Sequence, residues 1–75
     1  MASKKRLVAR EVWEVVVRSI KFGNHNTYRV FANDFTQAAS RGAACAMLDT
    51  GENGTFDDGE KVRVVSARFD GYVHS

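Results

Sequence analysis

Apolar side chains over residues 8–22, VAREVWEVVVRSIKF, fall on both parities, with Trp13, Val15 and Val17 on one and Val12 and Val16 on the other. A run this dense in β-branched and aromatic residues predicts a strand. A helical stripe through Val8, Val12, Val15 and Ser19 also exists, but three successive valines lose χ1 freedom in a helix. After Val17 the apolar parity moves to Ile20 and Phe22, so pairing is expected to bulge or stop near Arg18 and Ser19. Gly23-Asn24-His25-Asn26 tolerates positive φ and predicts a hairpin turn. Residues 27–32 then form a second, antiparallel strand, with Tyr28, Val30 and Ala32 on one face and Arg29 and Phe31 on the other.

The pattern next changes period. Asn33 or Asp34 can cap a helix, and Asp34-Phe35-Thr36-Gln37 has capping-box spacing. Ala38, Ala39, Gly42, Ala43, Ala46 and Met47 recur at helical intervals. A stripe this small lets the helix lie close to a sheet, with Phe35 and Met47 expected to anchor its ends and bulky sheet residues such as Trp13 filling the remaining space. Residues 49–60, DTGENGTFDDGE, are acidic and glycine-punctuated and read as a loop. Residues 61–69 return to strand, with Val62 and Val64 on one parity and Val65, Ala67 and Phe69 on the other, so a bulge near Val64 or burial on both faces is expected. Asp70-Gly71 reads as a turn and Tyr72-Val73 as a short final pairing. The order predicts an α+β, two-layer ββαβ domain over residues 7–75, one helix on a three- or four-stranded antiparallel sheet. Residues 1–6 read as a flexible basic arm.

Composition narrows the classes. At 75 residues with 44% hydrophobic side chains, the chain holds one core and is too apolar to remain disordered. No apolar run approaches the roughly 18 residues needed to cross a bilayer, and no signal-peptide stretch follows MASKKR, so a cytoplasmic protein with no membrane partner is expected. The single cysteine, Cys45, allows no internal disulfide and no zinc site, and no cofactor motif is present.

Catalytic groups are sparse. His25 sits in the turn, His74 near the C-terminus, and Cys45 beside the small-residue stripe, where an inert buried thiol is expected. With no nucleophile-elbow, zincin or phosphate-loop motif, the chain reads as a non-enzyme. The acidic loop superimposes in part on a calcium loop, with Asp49, Asn53, Asp57 and Glu60 at ligand positions and Gly54 at the obligatory glycine. Gly51 at position 3 and a strand after Glu60 argue against calcium and for a plain acidic turn.

The remaining chemistry is recognition. Arg10, Arg18, Arg29, Arg63 and Arg68 all stand on predicted strands, and with Trp13 and Phe31 they are the candidate partner contacts, since arginine and tryptophan combine area with charge. Val12, Val16 and Phe31 form an apolar patch suited to strand addition or a homodimer, unless Leu7-Val8 or Tyr72-Val73 folds over it. The alternative is a nucleic-acid surface made by Lys4, Lys5, Arg6, Arg29 and Arg63.

The run YRVFANDFTQAASRGAACAML, an extended strand followed by a capped alanine-rich helix, resembles the ββα core of small phage and mobile-element accessory proteins. Anti-CRISPR proteins and phage inhibitors of host RNA polymerase are among these. The resemblance covers about residues 10–69 and is architectural. It implies a small inhibitor or adaptor acting in the host cytoplasm, which occupies a surface of a larger protein or nucleoprotein machine.

Overall fold

The computed structural model describes residues 9–74, in the order β1 (Ala9–Ser19), β2 (His25–Phe31), α1 (Phe35–Leu48) and β3 (Val62–His74). The basic arm expected over residues 1–6 lies outside the described residues. The three strands form one antiparallel sheet in the order β2-β1-β3, and α1 packs on one face. The protein is thus an α+β domain with one helix on a three-stranded sheet. No helix among the described residues is long and apolar enough to cross a membrane.

The β1–β2 hairpin closes where the apolar parity changes, over residues 20–24, so His25 and Asn26, expected in the turn, instead open β2 opposite Arg18 and Val17 because pairing in β1 runs on to Ser19. The Ser19 N–H donates to Asn24 O at 2.8 Å, and the buried Ser19 Oγ accepts the Phe22 N–H at 3.0 Å. Gly23 takes φ 81°, the left-handed conformation this turn requires. The β1–β3 ladder shifts register twice, between Val12 and Trp13 and between Val16 and Val17. Each shift leaves one β3 residue unpaired, Asp70 at the first and Val65 at the second, so both are β-bulges. Asp70-Gly71 therefore does not turn the chain, as expected above. β3 runs through it to His74, and Tyr72-Val73 pairs with Arg10 and Glu11 of β1 as part of the same strand.

α1 begins with a reciprocal cap. Asp34 Oδ1 accepts the Gln37 N–H at 2.8 Å, and Gln37 Oε1 accepts the Asn33 N–H at 2.7 Å. Its buried line is Ala38, Gly42 and Ala46. The expected anchors are not buried: Phe35 is 56% and Met47 71% exposed. Met47 follows the buried Ala46 by one residue, about 100° around the helix, and Phe35 stands in the first turn ahead of Ala38. The bulk they were expected to supply comes from Phe56, in the loop after α1, which is the largest fully buried side chain. Phe56 joins Val15, Val17, Val30, Ala32, Ala38 and Ala46 in the core, with Trp13, Tyr28, Cys45, Val62, Val64 and Ala67 packed around them.

Candidate binding face on the open side of the sheet

Directly opposed residues of an antiparallel pair project to the same face, so the register assigns every strand side chain. The helix-covered face carries Trp13, Val15 and Val17 of β1 with Tyr28 and Val30 of β2 and Val64, Ala67 and Phe69 of β3. The open face is built of cross-strand rows: His25–Arg18–Arg63, Thr27–Val16–Ser66, Arg29–Glu14–Arg68 and Phe31–Val12–Gly71, with Arg10 opposite Val73 beyond them.

All five strand arginines, Arg10, Arg18, Arg29, Arg63 and Arg68, are exposed and share this face with Phe31. Arg63 and Arg68 are five residues apart, which strict alternation would send to opposite faces. The bulge at Val65 restores them to one. Trp13 is the exception among the candidate contacts. It lies on the helix side, edge-on to Phe69 with ring centroids 6.0 Å apart, because it has the parity of Val15 and Val17. The apolar patch also differs from expectation. Val12 is only 4% exposed and Val16 half-buried, whereas Val65, thrown out by its bulge, is exposed next to Val16 and Arg18, on the opposite edge strand and toward the other end of the face from Phe31.

The arginines divide by environment. In the middle of the face Arg68 Nη2 pairs with Glu14 Oε1 at 3.0 Å, and Arg29 Nη2 pairs with Asp70 Oδ2 at 3.1 Å. At one end Arg18 and Arg63 face each other, and neither forms an ion pair among the described residues; Arg18 Nε donates only to Gly23 O. At the other end, about 26 Å away at about 3.3 Å per residue, Arg10 stacks on Phe31 with 5.3 Å between guanidinium carbon and ring centroid. Of the nine acids in the chain, only Glu14 and Asp70 reach this face.

The acidic loop hangs on the helix side instead, held by a polar network that pattern reading missed. Asp49 caps the C-terminus of α1, and its Oδ2 accepts from Tyr28 Oη at 2.5 Å and Asn26 Nδ2 at 3.1 Å while Oδ1 accepts the Thr55 N–H at 3.1 Å. Asn24 Nδ2 adds a bond to Thr55 O at 2.6 Å. The signal was present: Asn24, Asn26 and Tyr28 continue, with polar tips, the parity of the buried Val30 and Ala32. Asp49 is thus engaged as a structural acceptor, and Glu60 Oε1 accepts the Asp57 N–H at 2.7 Å. Asn53 and Asp57 are exposed, and β3 rather than a helix follows. Among the described residues no group of three His, Cys, Asp or Glu side chains converges as a metal site. His25 is exposed in its row, and Cys45 is half-buried against the core.

These bonds hold the Asp49 carboxyl down from 3.8 to about 2, the Tyr28 hydroxyl contributing most and Thr55 and Asn26 following. Burial, and then the bond to Asp49, pushes Tyr28 up from 10.0 to about 12. The unfolded chain binds the Asp49 proton first, so the network's contribution to stability is complete above pH 3.8 and falls as pH drops toward 2. For Tyr28 the loss comes as pH rises from 10.0 to 12, because the folded state keeps the proton longer. Urea midpoints measured across both windows are expected to fall at each extreme, and Asp49→Asn to flatten the acid limb. An acid limb identical in the variant would rule out this role for Asp49.

No protein-family model matches the chain, and comparison with curated proteins and with solved structures returns no match.

Proposed function

We propose that the chain is a non-enzymatic binding protein that docks through the open face of its sheet on a larger protein machine and modulates or inhibits it, in the manner the accessory-protein resemblance implies. The supporting observation is the charge layout of that face: arginines without an ion pair among the described residues at one end, a stacked arginine at the other, and ion pairs with exposed Val65 between them. Glu14 and Asp70 in the centre would repel a phosphate backbone laid across the face, whereas a protein surface of mixed charge meets acids and bases together.

One observation favours nucleic acid as a second reading: seven of the nine acids lie off the open face, so its net charge is positive. Salt separates the two, since phosphate binding falls by orders of magnitude between about 50 and 200 mM salt and apolar-centred protein docking far less. The test is capture from nuclease-treated lysate of the source cell by immobilised chain, comparing wild type, Arg18→Glu/Arg63→Glu and a loop control, Glu52→Lys. One discrete protein is expected with wild type and control, reduced at least about tenfold with the double variant. Capture abolished by nuclease passes the face to nucleic acid; capture unchanged by the double reversal removes the open face from the reading.

A further inference from the structure

At the hairpin end of the sheet the turn between β1 and β2 raises Ile20 and Phe22, 61% and 60% exposed, on a ridge shared with Lys21. A cleft lies on each side. One, of about 480 Å³, is lined by Arg18, Lys21 and Arg63 and has no acid in its wall. The other, of about 390 Å³, is lined by Asp57, Asp58 and Glu60 together with Lys21 and Lys61. The ridge is already ordered: Ser19 receives the Phe22 and Gly23 N–H groups, and Arg18 Nε holds Gly23 O. An interface built there would need little further ordering.

We infer that this tip is a self-complementary contact and that its occupant is a second copy of the chain, related by a twofold axis running along the ridge. That axis turns the second copy over, so each cationic cleft meets the other copy's acidic cleft and the Ile20–Phe22 ridges cover one another. A twofold axis across the ridge would set like against like, so charge selects one arrangement. An anionic lipid surface fits less well, because Asp57, Asp58 and Glu60 flank the same apolar ridge. The contact also occupies Arg18 and Arg63, so a self-associated copy withholds that end of the open face from any other partner.

Sedimentation of the pure chain tests this whether or not the open face has the partner proposed above. Wild type is expected to pass from monomer to dimer with rising concentration and Phe22→Ser to remain monomeric. Asp57→Lys/Asp58→Lys and Arg18→Glu/Arg63→Glu should each lose self-association and regain it when mixed, since one presents two cationic clefts and the other two acidic ones. Circular dichroism melts confirm that each variant folds. A wild type still monomeric at about 1 mM, mixed variants that fail to associate, or a ridge that binds only vesicles of anionic lipid would overturn the proposal.

Discussion

Phe56→Ala is expected to leave a chain without a cooperative unfolding transition. Truncating a buried phenylalanine costs about 3–5 kcal/mol, and a core of this size rarely supplies more than about 3–5 kcal/mol in total. Phe56 is 2% exposed and has more volume than any other fully buried residue, and the small helix residues around it cannot collapse into the cavity. It also pins its own loop: the Phe56 N–H donates to Asp49 O at 3.0 Å, and Phe56 bridges to Thr50. Near-ultraviolet circular dichroism and urea titration read the outcome directly. A sigmoidal transition within about 1 kcal/mol of wild type would mean that Phe56 is not the keystone of this core. Phe56→Leu, which keeps most of the volume, should retain the transition at a lower midpoint.

Gly42→Ala should destabilise, against the usual trend. Replacing glycine by alanine inside a helix ordinarily gains about 1 kcal/mol through propensity. Here a Cβ on residue 42 would stand 2.6 Å from Val15 Cβ and closer still to its Cγ1. Val15 is fully buried, β-branched and paired on both sides, with Tyr28 and Ala67, so it has no rotamer into which to retreat. Either α1 lifts off the sheet or β1 bends, at a cost of about 1–3 kcal/mol. A midpoint in urea equal to or above that of wild type would show that the helix has more clearance over β1 than this. The same closeness explains why helix and sheet can share a core whose helical contribution is two alanines and a glycine.

Elements whose cause is local were legible in the residues themselves. The β-branched density of β1 and the reciprocal cap of Asp34 and Gln37 depend on neighbours a few positions apart and are found where the pattern puts them, whereas the hairpin turn falls earlier than its glycine and asparagines suggested, over residues 20–24. The change of apolar parity after Val17 also had a local cause, the end of pairing at Ser19. Phe56 was not legible, because a lone aromatic among acids and glycines looks like a loop residue until the loop folds back under α1. Asn24 and Asn26 read as turn residues and Tyr28 as a strand residue, and their shared role appears only when Asp49, at the C-terminus of α1, and Thr55, in the loop after it, come to hydrogen-bond with them.

The five strand arginines show where the boundary lies. Their number and their placement on strands follow from the sequence alone, as does the α+β class, because residue type and period are intrinsic to the chain. That they share one face was decided by pairing. The turn sets the register that puts Arg29, opposite Glu14, on the same face as Arg10 and Arg18, and the bulge at Val65 shifts Arg63 and Arg68 onto one side despite their odd separation. Side-chain direction in a strand alternates with every residue, so one unpaired residue in a partner strand reverses all that follows. Tertiary pairing therefore turned five scattered cations into a surface and left Glu14 and Asp70 in the middle to ion-pair its centre, whereas the placement of Trp13 on the opposite side already followed from its parity within β1.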